Sequence, residues 1–157
     1  MNNSLLSINS PLRILYVEDN EDDAYIFNYV LKKIYSTCEI IWLKDGQELY
    51  DYLYFKNEYI ERKENQATHL IIMDINMPKI DGLKALEYIQ FSQNKELLKV
   101  PVIMLSTSAR EEDVKRSKIL GTVDYIIKPH FYEDLVTVIT NLMQEHLVLK
   151  PAPITLI

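Results

Sequence analysis

Four short apolar runs, each cut off by an acid, a hydroxyl or a lysine, constrain this chain more than any other feature. Ile14-Leu15-Tyr16-Val17 ends at Glu18-Asp19, and Leu70-Ile71-Ile72-Met73 ends at Asp74. Val102-Ile103-Met104-Leu105 ends at Ser106-Thr107, and Tyr125-Ile126-Ile127 ends at Lys128-Pro129. Runs this short and apolar throughout predict strands buried on both faces, as in a parallel sheet. Parallel strands bring their C-terminal ends to one shared edge, where open α/β sheets bind their ligands. The pattern therefore predicts a single pocket lined by acids, hydroxyls and one ammonium.

The rest of the chain supplies the helices such a sheet needs. A chain of 157 residues suits one domain with a substantial core. Residues 1–10, rich in Asn and Ser, form an expected loose lead-in, and the domain is expected over 11–146. The first helix is expected to start near Asn20, which can cap it, with Ala24, Phe27, Leu31 and Ile34 as its apolar stripe. Glu39 to Leu43 predicts a strand, and Gln47 to Arg62 a helix after the Asp45-Gly46 turn. Leu83, Leu86 and Ile89 mark a third helix, and Arg110 to Leu120 a fourth that Gly121 ends. A fifth, from Phe131 to His146, carries Phe131, Leu135, Val138 and Leu142 as its inner stripe. The apolar tail 147–157, with Pro151 and Pro153, is expected to be extended. The result is an α/β fold of five strands and five helices, with a doubly wound parallel sheet.

Composition excludes several functions. The net charge of -6 argues against nucleic-acid binding, which needs clustered Lys and Arg. Lys32-Lys33 and Lys115-Arg116 are too short for that and suit solvated helix faces. Cys38 is the only cysteine, so an intrachain disulfide and a thiolate metal cluster are excluded, and a small buried hydrophobe is expected there. No stretch reaches the roughly 18 apolar residues of a membrane span, and the first ten residues do not resemble a signal peptide. The expected setting is cytoplasmic. His69, His130 and His146 have no metal-binding spacing and are expected to be structural or exposed.

At the pocket, Glu18, Asp19 and Asp74 cannot all stay charged unaided. Two carboxylates about 4 Å apart repel by roughly 4 kcal/mol at an effective dielectric of 20, so a proton or a cation must sit among them. Oxygen-only ligands at an open site favour Mg²⁺, and the backbone carbonyl of Asn76 would complete the set. Lys128 and Ser106 would then face a phosphoryl group beside the metal. Phosphoryl transfer needs mainly alignment and charge neutralisation, and Asp74, on the central strand, is the best nucleophile candidate.

With these residues in place, the chain resembles the receiver domains of two-component response regulators, including the single-domain chemotaxis type. The resemblance rests on Ile14 to Asn20, Met73 to Gly82, Pro101 to Ser106 and Asp124 to Pro129, in the family's order and spacing. It implies a flavodoxin-like (βα)5 receiver fold that accepts phosphate from a sensor histidine kinase or a histidine phosphotransfer domain. Asp74 would be the phosphoacceptor; Asp19, Asp74 and the Asn76 carbonyl would bind Mg²⁺, with Glu18 acting through water. Lys128, Ser106 and Thr107 would contact the phosphate, and the Lys128–Pro129 bond would be cis. Ser106 and Tyr125 would form the switch, the ring turning inward as Ser106 is drawn to the phosphoryl group. Thr107, bulkier than the usual Ala or Gly, would slow access to the site. The last helix has no Lys or Arg, which argues against the charge-paired dimer of transcription-factor receivers.

The leading expectation is a stand-alone phosphoacceptor that signals to a downstream protein partner. It would not be an enzyme beyond phosphorylating and dephosphorylating its own aspartate. A receiver-shaped docking module that works without phosphorylation is the alternative. A metal-dependent phosphohydrolase is disfavoured, because Asn76 stands where a second acid is wanted; Asn76 and Ser108 would instead tune hydrolysis of the acyl phosphate. Asp81-Gly82 suits a turn and helix start. Tyr132, Val136 and Met143 form a second row on the last helix, expected to face a homodimer or partner surface, or else the folded-back tail. Tyr25 and Tyr29 lie where receivers meet their phosphodonor.

Overall fold

The computed structural model describes residues 12–62 and 67–147; the expected lead-in and all but Leu147 of the expected tail lie outside them. Five strands, β1 Arg13–Val17, β2 Glu39–Leu43, β3 Leu70–Met73, β4 Val102–Ser106 and β5 Asp124–Ile127, form one sheet in the order β2-β1-β3-β4-β5. Every neighbouring pair is parallel, with Tyr16 level with Ile72 and Met73 level with Met104. The helices are α1 Glu21–Ile34, α2 Gly46–Leu53, α3 Gly82–Gln90, α4 Lys95–Leu98, α5 Glu111–Ile119 and α6 Tyr132–Leu147. The strand order reverses at β1 and β3, which places Glu18, Asp19 and Asp74 at the switch point where such sheets bind ligands.

Side chains alternate across each strand and divide the core in two. Ile14 and Tyr16 pack with Phe27, Leu31, Ile139 and Leu142 on the α1 and α6 face. Leu15 and Val17 pack with Leu49, Leu83, Leu86 and Ile89 on the α2 and α3 face. The runs of β1, β3 and β4 are thus buried on both sides, as their unbroken hydrophobicity predicts. The Tyr125-Ile126-Ile127 run is not: β5 is an edge strand, Tyr125 and Ile126 are half-buried and Ile127 is exposed. Asn20 caps α1, its side chain accepting the Asp23 amide, and Gly121 follows α5 with a φ of 92°.

The helices depart from expectation in several places. The helix expected to reach Arg62 stops at Leu53, because Phe55 and Asn57 take positive φ angles of 56° and 52°. Tertiary contacts hold that break: Tyr54 donates its hydroxyl to the Tyr88 carbonyl at 2.9 Å, and Arg62 donates to the Tyr52 carbonyl at 2.9 Å. The Arg62 guanidinium also lies over the rings of Tyr52 and Phe55. The short helix α4, capped by Asn94, was not expected from the sequence. In α6 the inward stripe is Leu135, Ile139, Leu142 and Met143, while Phe131 precedes the helix and is 70% exposed. Met143 is buried and Val136 packs against the same core, so they do not form the expected outward row; Leu147 belongs to the helix rather than to an extended tail. The Lys128–Pro129 bond is trans, not cis; the trans form is favoured at prolyl bonds by about 0.5–1 kcal/mol.

Candidate functional site

Each strand end delivers its polar residue to the same edge. Glu18 follows β1, and its backbone amide donates to the Leu43 carbonyl at 3.0 Å. Asp74 follows β3, and its amide donates to the Val17 carbonyl at 3.1 Å. The sheet's hydrogen bonding thus continues one residue past the strands and fixes both acids. Glu18 is 1% exposed and Asp74 is also buried, whereas Asp19 is exposed. Oxygen atoms of Glu18, Asp19 and Asp74 converge within 4.8 Å of one another.

Lys128 closes this group. Its ammonium donates to Glu18 Oε2 at 2.6 Å and Asp23 Oδ2 at 3.1 Å, and lies 3.6 Å from Asp74 Oδ2. Its backbone amide donates to the Ser106 carbonyl at 2.7 Å, tying the end of β5 to β4. Burial works against the Lys128 charge, but its hydrogen bond to Glu18 and the charges of Glu18 and Asp74 outweigh it and hold its pKa above the ordinary lysine value. Burial pushes the Glu18 carboxyl up to about 7, against the pull of Lys128. Tyr16, stacked on Phe27 and 3.5 Å from Glu18 Oε2, is held protonated by burial and by the acids around it. A partly open cluster of carboxylates with oxygen donors alone suits a hard divalent cation, whose charge would relieve the cost of burying Glu18 and Asp74 ionised.

The remaining expected residues lie at the same edge. Asp74 Oδ1 accepts the Ile75 amide at 2.7 Å and the Asn76 amide at 3.4 Å, which orients the carboxylate. Ser106 is fully buried, and its Oγ accepts the Ser108 amide at 3.2 Å, while Thr107 is exposed. Tyr125 is half-buried and donates its hydroxyl to the Ser108 carbonyl at 2.6 Å, so the ring is tied to the loop that carries Ser106. The Ser108 hydroxyl donates to Asp113 at 2.6 Å. His69 is structural, accepting the Arg13 amide at Nδ1, and Cys38 is buried.

Two residues at the site escaped sequence reading. Asp23 looked like one of three acids suiting the positive end of α1, yet it reaches Lys128, far along the chain. Gly82 looked like a turn residue, yet a side chain there would collide with the Asp74 carbonyl. The usable signal for Asp23 was its place in the first turn of a helix that starts directly after β1.

An all-parallel α/β domain with acids, a buried serine and a paired lysine at its C-terminal edge has the architecture of a two-component receiver. Residues 14–140 match the model of the response regulator receiver domain, and the chain belongs to that family. It is 31% identical over 131 residues to the probable methanogenesis regulatory protein FilR2 of Methanothrix harundinacea, covering 83% of this chain and 81% of that one. It is 36% identical over 127 residues to the response regulator Rcp1 of Synechocystis sp., covering 81% and 83%. The Mn(2+)-bound form of Rcp1 superposes with a TM-score of 0.74 at 33% identity, covering 90% of this chain and 99% of that one. The phosphorylated cyanobacterial phytochrome response regulator RcpA gives a TM-score of 0.79 at 29% identity, covering 90% and 99%. Among the described residues no helix is long and apolar enough to cross a membrane.

Proposed function

We propose that this chain accepts a phosphoryl group on Asp74 from a phosphohistidine and signals through the change of shape that follows. The observation that carries the reading is the Lys128 ammonium, placed between Glu18 and Asp74 by residues over 50 positions apart in sequence. An Asp74 oxygen attacks phosphorus, the P–N bond to the donor imidazole breaks, and its electron pair stays on the ring nitrogen. Lys128 then follows charge from the carboxylate to the phosphoryl oxygens, with Ser106 and Thr107 as the further phosphate contacts. Mg²⁺ would be held by Asp19, Asp74 and the Asn76 carbonyl, with Glu18 through water; when bound it supplies charge neutralisation at the phosphoryl oxygens. Rcp1, seen with a divalent metal, and RcpA, seen phosphorylated, support both parts of the reading.

The donor is a sensor histidine kinase or a phosphotransfer protein, in the cytoplasm, and the output is contact with a downstream protein partner. Catalysis is confined to the protein's own aspartate. A new charge on Asp74 draws Ser106 towards it, and the Tyr125–Ser108 bond passes that movement to the face of β5.

Incubation with Mg²⁺ and acetyl phosphate, followed by intact-mass measurement, tests the reading. A single added phosphoryl group is expected on the native chain and none on Asp74→Asn. An unmodified native chain overturns the proposal and leaves the phosphorylation-independent docking module. Turnover of acetyl phosphate without an adduct indicates a phosphohydrolase.

A further inference from the structure

The phosphoryl chemistry gives work to Glu18, Asp74 and Lys128, but none to Asp23. Even so, Asp23 Oδ2 lies closer to the Lys128 ammonium (3.1 Å) than Asp74 Oδ2 does (3.6 Å). It stands outside the set of three carboxylates that converge within 4.8 Å. Both partners are fixed at the backbone. The Asp23 amide donates to the Asn20 side chain at 3.0 Å in the first turn of α1, and the Lys128 amide donates to the Ser106 carbonyl. What remains free is the choice the lysine makes among its acids. A cavity of about 260 Å³, bordered by both Asp23 and Lys128 and by Tyr16 and Phe131, lies against the pair and leaves room for that choice.

A divalent cation and a buried ammonium cannot share Glu18 and Asp74 without repelling each other. A fourth acid on the outer side of the lysine resolves this conflict, because it offers the ammonium a partner that the cation does not use. We propose that Asp23 is a positioning residue that holds Lys128 to one side, so that cation and lysine occupy the acidic edge together. The inference rests on the reading of Glu18, Asp19 and Asp74 as the cation site. Without Asp23 the ammonium falls back on Glu18 and Asp74 and competes with the incoming ion. Asp22, exposed on the same turn, makes no contact with Lys128 and serves as the matched charge control.

Calorimetric titration of the full chain with MgCl₂ tests this, using Asp23→Asn, Asp22→Asn and Asp23→Glu. Asp23→Asn is expected to weaken Mg²⁺ binding about fivefold, the scale of one partly exposed ion pair. Asp22→Asn and Asp23→Glu are expected to stay within about twofold of the native chain. Placed on Lys128→Met, Asp23→Asn is expected to change affinity by less than about twofold, because the partner it acts through is gone. With acetyl phosphate, Asp23→Asn should raise the half-saturating Mg²⁺ concentration while leaving the uptake rate at saturating Mg²⁺ near native, a split that general destabilisation does not produce. Native affinity in Asp23→Asn, or an equal loss with and without Lys128, overturns the inference. A native chain that binds no Mg²⁺ and takes no phosphoryl group overturns the reading beneath it instead. Should Asp23→Asn fail to fold, native-like affinity in Asp23→Ser overturns the inference in the same way, and a loss that depends on Lys128 supports it.

Discussion

A methyl group at position 82 would run into the backbone carbonyl of Asp74 and the Cα of Ile75. Gly82 is therefore required by close approach, not by an unusual dihedral, and it lets α3 start directly beneath the proposed phosphoacceptor. Its neighbour Asp81 does what the sequence suggested, capping α3 by accepting the Lys84 amide at 2.9 Å. Gly82→Ala should cost about 1–3 kcal/mol through forced backbone movement. It should also slow phosphoryl uptake at Asp74, because the displaced carbonyl belongs to the acceptor itself; chemical denaturation and the intact-mass assay check the two effects. Uptake at the native rate in a destabilised Gly82→Ala would show that the contact serves packing alone.

At the scale of elements, the strands were legible because each is a short apolar run, and in β1, β3 and β4 burial on both faces leaves no alternation to misread. The helices were less so. The α2 break lies at Tyr54 to Asn57, residues that carry no glycine or proline to announce it; Tyr88 and Arg62, distant or downstream, hold it. Of the expected α6 stripe, Leu135, Val138 and Leu142 do pack on the core, but Phe131, which fits the spacing, lies before the helix and is exposed. His69 makes a prediction at this scale, since it joins the start of β1 to the start of β3 through the Arg13 amide. Burial and the Arg13 charge hold its pKa below 6.5, so the unfolded chain takes a proton more readily than the folded one. Stability is then lost as pH falls through the window below 6.5 and is insensitive to this group above it. Melting temperatures at pH 7.5 and 5.5 should fall further for the native chain than for His69→Gln; equal falls would remove His69 from the account.

Across the whole molecule, the site was legible as far as strand ends could carry it. Glu18, Asp74, Ser106 and Lys128 come together because parallel strands share an edge, a rule that needs no knowledge of helices. Asp23 was not legible, because its role depends on how α1 packs over that edge. The same helix leaves Tyr25, 71% exposed, and Tyr29 open to solvent. An aromatic surface of this kind suits contact with a protein phosphodonor. Replacing both tyrosines with serine should slow transfer from a histidine phosphodonor about tenfold, the scale of one lost aromatic contact at an interface. Acetyl phosphate should still react at the native rate; equal slowing in both assays would place the tyrosines in folding instead.

Trp42 is the only tryptophan of the chain, and its indole N–H donates to the Glu18 carbonyl at 2.7 Å. Nature has thereby built an optical probe into the acidic edge, with no second indole to blur its signal. Emission from the unlabelled protein should report the proposed ion loading and phosphoryl arrival in real time, in a stopped-flow cell.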